Sequence, residues 1–460
     1  MREWLLGLPG KDLDLTVAGR AIPLARRIGN ATGGAFYVLD EATDTARVVY
    51  REPVGLVVDF AALRGPDIET DLRARDFTVN AMAVDVRTAE SVQPPILDPT
   101  GGQTDLGARL LRATSGQAFQ QDPVRLLRAV RFAAVLDLSI EEHTASWLRR
   151  DAALIAQPAA ERVRQELALI LGAPRAAENV RRMDELGLLR HVLPEVTALH
   201  GVAQSAPHVN DVYEHTLATV AEVERLTEFS NPHLSPVEAE FLGPFAAELE
   251  AHLQVTLSED RTRRTLLKLA ALLHDAGKPA MRNVEPSGRV RFFGHEQPGA
   301  ELTAEVLTRL RFSAQEIHWV GTTVAQHMRP GFLVKDSPVT RRAMYRFFRD
   351  SGAAGVDVLL LALADHLAAR GPNLLPEHYR QQLQLTHWML DNYFHKRQEV
   401  VAPVPLVNGR DVMTLLCIPP GPRVGELLEA VREAQAGGEV RTREEAVGYL
   451  KHAGAADQRT

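Results

Sequence analysis

Short alternating runs come first along the chain. LDLTVAG (13–19), AFYVLD (35–40), ARVVYRE (46–52) and GLVVDFAAL (55–63) are rich in Val, Phe and Tyr and bounded by Gly, Asp or Pro. That pattern predicts strands. AIPLARRIGNATGG (21–34) places apolar residues at helical spacing and ends in glycines, which predicts a helix with a glycine stop. From about residue 106 the strand pattern vanishes. Long amphipathic runs take over, such as VRLLRAVRFAAVL (124–136) and AAERVRQELALILG (159–172), each with an apolar stripe at helical period. Joints such as SNPHLSPVE (230–238) and RGPNLLPE (370–377) separate the helices. The expected fold class is α+β: a small head with a mixed sheet, then a long all-α body.

Composition narrows this reading only a little. With 460 residues, 45% hydrophobic and 24% charged, the chain has the balance of an ordinary globular protein and length for two to four domains. No uninterrupted run of 18 apolar residues occurs, so no membrane span is expected. The first residues lack the pattern of a signal peptide. The single cysteine, Cys417, excludes an internal disulfide framework and fits a reducing cytoplasm. It lies in the apolar stretch MTLLCIP, where a buried packing role is expected. The net charge of −7 argues against broad non-specific nucleic-acid binding, but not against a local basic groove.

Candidate chemistry begins at residue 12. On a strand, Asp12 and Asp14 face the same way, and paired carboxylates suit Mg²⁺ beside substrate phosphates. LRARDFTVNAMAVDV (72–86) then brings Arg75, Asp76 and Asn80. ILDPTGGQTDL (96–106) sets a glycine pair between Asp98 and Asp105, residue types that a tight turn explains. In QQDPVRLLRAVRFAA (120–134), Arg125, Arg128 and Arg131 recur three apart, as neighbours on one helix face. From Arg109 to Arg131 there are five arginines against one acid, Asp122. Beside a candidate metal site, such a stripe points to phosphates.

Taken in order, DLDLTV, RARDFTVNAMA, DPTGGQTDL and QDPVRLLRAVRFAA resemble the bacterial class II tRNA nucleotidyltransferases and poly(A) polymerases of the polymerase β superfamily. The resemblance implies that Asp12 and Asp14 are catalytic metal ligands for Mg²⁺. It implies that Arg75 and Asp76 hold the sugar and phosphates of the nucleotide, with Asn80 and Arg2 nearby and Arg128 facing the triphosphate. Asp122 and Arg125 match the pair that reads the base without a template. The chemistry agrees, since a carboxylate can accept from an exocyclic amine while a guanidinium donates to ring acceptors. The implied substrates are tRNA and CTP, with ATP as a second nucleotide.

Three departures stand out. The family's Gly-Gly pair ahead of the arginine matched by Arg2 is missing, Glu3 replaces a shorter acid, and Gln121 replaces a Glu. We expect from the first that the native chain starts upstream of Met1. A further feature is the short link GPDIETDL (65–72), where many CCA-adding relatives carry a longer flexible loop. Eight residues span at most about 28 Å, so addition of CC rather than of the final A is expected.

The body adds a second set: His215 in DVYEHTLATV, His274 and Asp275 in LLKLAALLHDAGKP, and Asp365 in LLLALADHLAA. These resemble the HD phosphohydrolases and imply one metal, with His295 and His327 where relatives hold a second. Mixed N and O ligation admits Mn²⁺, Fe²⁺, Ni²⁺, Mg²⁺ or Zn²⁺. Lys278 either contacts a phosphate or caps its helix. The expected domains are a head (1–115), a helical RNA-binding neck (116–200), an HD domain (201–372) and a helical tail (373–460). Two alternatives remain: a poly(A) polymerase or A-adding enzyme, and an HD phosphohydrolase with an inactive head.

Overall fold

The computed structural model describes residues 1–7, 12–51, 55–89, 91, 94–229, 233–259, 261–335 and 339–457. Residue 52 of the third predicted run and residues 230–232 of the SNPHLSPVE joint lie outside them. Contacts divide the chain into two compact units, 1–158 with 185–191, and 159–184 with 192–460.

All four predicted head strands form. They are β1 (Asp12–Val17), β2 (Ala35–Asp40), β3 (Thr45–Val49) and β4 (Val57–Ala62), ordered β1-β4-β3-β2. The β1–β4 pair is parallel and the other two pairs antiparallel, which makes the sheet mixed. Strand alternation divides it into two faces. Leu15, Val17, Val58, Phe60, Ala46 and Val48 pack on helix α1 (Ala21–Thr32) through Ala21, Ala25 and Ile28. The opposite parity carries Asp12, Asp14 and Thr16 on β1, Asp59 on β4 and Arg47 on β3. Helix α1 ends on Gly33 in the left-handed region (φ +76°), as its glycine stop predicts.

The short link after β4 is folded. Asp67 caps helix α2 (Ile68–Arg73) by accepting from Thr70 N, and the buried Asp71 accepts the backbone N–H of Arg64. The DPTGG segment forms the predicted turn. Asp98 accepts from the N–H groups of Gly102 and Gln103, and Gly101 is left-handed at φ +78°. Helix α3 (Arg125–Val135) follows.

The second unit is helical. It contains α4 (Val212–Leu226), α5 (Arg263–Leu273), α6 (Glu296–Arg309), α7 (Ala314–Gln326), α8 (Gly355–Arg370) and α9 (Pro376–His395). Arg341–Asn373, which contains α8, is long and apolar enough to cross a membrane, but most of it is buried inside the unit, as in a core helix. A separate apolar cluster around Val412, Leu427, Val431 and Leu450 holds the tail.

Two expectations need correction. Beyond residue 106 the described residues still contain three two-stranded ladders, at Leu110–Leu111 with Ser139–Ile140, Thr256–Ser258 with Arg261–Thr262, and Asn283–Val284 with Val290–Arg291. Two or three residues are too few to show a period. Cys417 is exposed, not packed. It is the left-handed cap (φ 52°) ending helix Gly409–Leu416, so it has left the helix whose other face is buried.

Candidate functional site

In the head, β1 brings Asp12, Asp14 and Thr16 to one face, and register sets Asp14 beside Asp59. Arg47 crosses from β3 to make paired hydrogen bonds with Asp59, at 2.8 and 2.9 Å. Desolvation first, then the Asp59 carboxylate, raise the Asp14 pKa, while Arg75 opposes them. Two acids that disfavour each other's charge are an arrangement that a divalent cation relieves. Asp59 was missed in the sequence; its signal was one acid at polar parity within GLVVDFAAL.

Arg75 is held on this face. It donates to Thr16 Oγ1 at 3.0 Å and to Asp71 Oδ2 at 3.1 and 3.2 Å. Asp71 was also missed, although its i,i+4 spacing to Arg75 was legible.

A second set surrounds Phe132. Asp76 accepts from Arg128 (2.6 and 2.9 Å), from Asn80 Nδ2 (3.0 Å) and from Phe77 N (2.8 Å). Burial works against its charge, but Arg128 and Asn80 prevail and hold the carboxyl below its ordinary pKa. Arg2 donates to Asn80 Oδ1 and pairs with Glu3. Arg2, Arg128 and Arg131 lie 4.8, 5.1 and 4.3 Å from the Phe132 ring centre, so three cations share one aromatic.

The predicted arginine stripe splits. Arg125 turns inward, is buried, and donates to the carbonyls of Ala74, Arg75 and Ala118. It ties the Arg75–Asp76 segment to α3. Asp122, half-buried just before α3, accepts from Val124 N.

In the second unit the ends of helices converge. His215 lies in the first turn of α4, His274 caps the end of α5, His295 caps the start of α6 and His327 caps the end of α7. His274, His295 and His327 each bond through Nδ1 to the carbonyl three residues back (Ala271, Phe292, Val324), at 2.7–2.8 Å. That bond uses a helix-end carbonyl or its equivalent and turns Nε2 inward. Four Nε2 atoms, of His215, His274, His295 and His327, are buried with no hydrogen-bond partner.

Asp275 is central to the cluster. It lies 3.4 Å from His215 Nε2 and 3.1 Å from both His274 Nε2 and His295 Nε2. Asp365 is 3.1 Å from His215 Nε2. Ligand atoms of His215, His274 and Asp275 group within 4.8 Å of one another, as do those of Asp275, His295 and His327. Inward-facing imidazoles around a buried carboxylate form a donor set that fits divalent metal.

The electrostatics match that arrangement. Burial opposes charge on His215, but its contacts to Asp275 and Asp365 push its pKa up to about 9. Burial, then His274 and His295, push His327 down to about 3. Lys278 does not cap a helix; it pairs with Asp275 at 2.7 Å and donates to Gln204 at 2.6 Å. Gly277 permits the approach of α6, because a Cβ there would lie 2.6 Å from Gly299 N and overlap the His295 carbonyl oxygen. A cavity of 1120 Å³ opens beside the cluster, lined by Asp275, Lys278, His295, His327 and Asp365 among others.

Comparison with known proteins supplies the family. The A-adding tRNA nucleotidyltransferase of Deinococcus radiodurans is 35% identical over 460 residues, covering 98% of this chain and 93% of its own. This chain belongs to the tRNA nucleotidyltransferase and poly(A) polymerase family. The CC-adding tRNA nucleotidyltransferase of Thermus thermophilus is 34% identical, over 98% of this chain and 91% of its own. Models of the family's parts match too: the poly A polymerase head domain at 1–112, the probable RNA and SrmB-binding site of polymerase A at 137–199, and the HD domain at 212–370. A solved CCA-adding enzyme with ATP has the same fold, with a TM-score of 0.63 at 21% identity over 100% of this chain and 88% of its own. The Thermotoga maritima CCA-adding enzyme with tRNA gives a TM-score of 0.59 at 20% identity, over 98% and 89%. For this tRNA nucleotidyltransferase family member, then, the mixed-sheet head and the helical body with its HD domain are a shared fold.

Proposed function

We propose that this protein adds C residues to the 3′ end of tRNA from CTP without a nucleic-acid template, and that its HD domain hydrolyses phosphate esters. The observation that carries the reading is Asp12 and Asp14 on one open face of β1, with Arg75 bonded to Thr16 on the same face. Asp12 and Asp14 hold Mg²⁺. When bound, that ion supplies positive charge where the transferring phosphoryl group gains negative charge. The tRNA 3′-hydroxyl attacks the α-phosphate of CTP and pyrophosphate leaves. Arg75 faces the sugar and phosphates from its fixed position between Asp71 and Thr16. Arg2 and Arg128, kept in place by Asn80 and Asp76, meet the triphosphate.

Asp122 and Arg125 read the base. The hydrogen bonds of Arg125 to three carbonyls occupy three of its five N–H groups and leave two for the ligand. The neck, 116–200, takes tRNA by shape and backbone, between a head at 1–115 and an HD domain at 201–372 with its tail at 373–460. In the HD domain, His215, His274, Asp275 and Asp365 hold a divalent metal, Mg²⁺ or a transition metal, and His295 and His327 a second. When bound, such metals would supply Lewis-acid charge beside a phosphate ester. The reading places the protein in the cytoplasm.

CC addition is favoured over A addition by the link at 65–72. It is pinned as α2 by Asp67 and Asp71, so it has little freedom to swing. A second reading, A addition, has the 35% identical relative in its favour. The test is to give the protein tRNA lacking its 3′ end, with CTP and ATP. Incorporation of two C residues and no A supports the first reading; terminal A on that substrate refutes it, and A added to tRNA already ending in CC supports the second. Asp12→Ala and Asp14→Ala should abolish incorporation and spare phosphate-ester hydrolysis. Retained incorporation in both variants would sink the head assignment.

A further inference from the structure

The cavity beside the metal cluster has a second polar feature that the metal reading leaves unused. Its wall is built by two helix faces. Ala362, Asp365, His366, Ala369 and Arg370 recur at three- and four-residue spacing on α8, and His378, Gln381, Gln382, Leu385 and Trp388 do so on α9. Residues at that spacing share one face. Within this wall, His366 is 8% exposed and Gln382 6% exposed. His366 Nε2 and Gln382 Oε1 are both buried without a hydrogen-bond partner. Neither residue is in the metal groups.

A buried polar atom left unpaired costs free energy, so each one calls for a partner. The His366 ring is also held firmly. It stacks on Tyr379 at 5.9 Å between ring centres and 22° between planes. The Tyr379 hydroxyl donates to Glu238 at 2.6 Å, and Glu238 is gripped by Arg225 at 2.7 and 2.8 Å. A ring oriented by three residues in series, in a residue that lines the cavity, has the preorganisation of a binding group.

We propose that His366 and Gln382 form a recognition subsite that hydrogen-bonds the alcohol portion of a phosphate monoester while the phosphate lies at the metal cluster. The ligand class is a phosphate ester whose alcohol carries its own donors and acceptors. An imidazole nitrogen and a carboxamide oxygen together can serve one donor and one acceptor, or two donors. Trp388, in the same wall, offers a flat apolar surface for a ring in that alcohol. Lys278, Arg289, Arg291, Lys335 and Arg370 line the cavity as well, against Asp275, Glu296, Asp365 and Glu377, so the lining offers cations to an anion beside its acids. The proposal rests on the phosphohydrolase reading of the HD domain.

The test compares two esters and two variants of the full chain. Phenyl phosphate has no hydrogen-bonding groups on its alcohol; cytidine 5′-monophosphate has several. His366→Phe keeps the ring stack on Tyr379, and Gln382→Met keeps side-chain length. Each variant should lower kcat/KM for the nucleotide about five- to tenfold, the effect of one neutral hydrogen bond, and change phenyl phosphate by less than about twofold. Metal content by mass spectrometry should match wild type, which separates the subsite from Asp365 next to it. Equal losses on both esters would overturn the proposal, since they signal a disturbed metal site. No loss on either would overturn it too, with ordered water as the partner of both atoms. If wild type hydrolyses neither ester, the phosphohydrolase reading fails by itself. Calorimetric binding of cytidine 5′-monophosphate without added metal, in chains that also carry Arg75→Ala and Arg128→Ala to remove binding in the head, then decides the subsite, which requires weaker binding in both variants.

Discussion

Gly277→Ala isolates the geometry of the HD cluster. The added Cβ would lie 2.6 Å from Gly299 N and closer still to the His295 carbonyl oxygen. Ordinary contact begins near 3.4 Å, so backbone must move by about 0.8 Å or more, and neither neighbour is a flexible side-chain end. The moving segment carries His274 and Asp275; the opposing one carries His295. Asp275 and His295 now stand 3.1 Å apart. Metal coordination tolerates about 0.2 Å, roughly a quarter of the forced shift. Metal affinity should fall at least tenfold and as much as ~100-fold, the range for lost support around a ligand set.

The assay is metal stoichiometry after dialysis against a buffered metal, with phosphate-ester hydrolysis beside it. CTP incorporation into tRNA controls for folding of the head. Gly321→Ala controls for the substitution itself: no heavy atom lies within 4 Å of that Cβ, and alanine inside α7 should stabilise by about 0.5–1 kcal/mol. Wild-type metal content and hydrolysis in Gly277→Ala would refute the argument.

Three other outcomes are expected. Asp59→Asn should move the acid limb of CTP incorporation to lower pH. The Asp14 pKa is raised, so the native head binds more protons than the unfolded chain and loses stability as pH rises from 3.8 through that raised value; an unchanged limb would count against the Asp12–Asp14–Asp59 coupling. Glu238→Gln should cost about 3 kcal/mol at pH 7, because Arg225 and Tyr379 lose a buried anionic partner. The Glu238 carboxyl is held down to about 2 against burial by Arg225 and Tyr379. Its contribution is therefore full above pH 4.5 and lost as pH falls towards 2, so melts of wild type and variant should converge in acid. Gly102→Ala would put a Cβ 2.8 Å from the Thr78 carbonyl carbon and should destabilise the head by more than about 2 kcal/mol, with HD metal content unchanged.

Much of the site was legible because short-range chemistry wrote it. A strand period alone puts Asp12 and Asp14 on one face, and both are there. Asp98, Gly101 and Gly102 make the turn their residue types demand. The order of His215, His274, Asp275, His295, His327 and Asp365 marked a second cluster, and the structure gathers those side chains, the histidines and Asp275 at helix ends and Asp365 from within α8. Family pattern, in turn, carried the reading of nucleotide and tRNA.

The rest depended on which segments meet. Asp59 became part of the head cluster through a parallel pairing between strands 45 residues apart. Arg125, Arg128 and Arg131 share spacing, yet Arg125 turns inward because the carbonyls of Ala74 and Arg75, some fifty residues away, and of nearby Ala118 await its donors. Cys417 sits among apolar neighbours in sequence but points outward because the helix ends there in a left-handed cap. Gly277 looks like any glycine until α6 crosses it. His366 and Gln382 carry no motif; only the packing of α8 beside α9 leaves their polar atoms without partners in one wall. Period, turn chemistry and motif order are properties of neighbouring residues, so sequence alone determined them. Partner choice, burial and close approach are set by distant segments, so only the tertiary structure decided them.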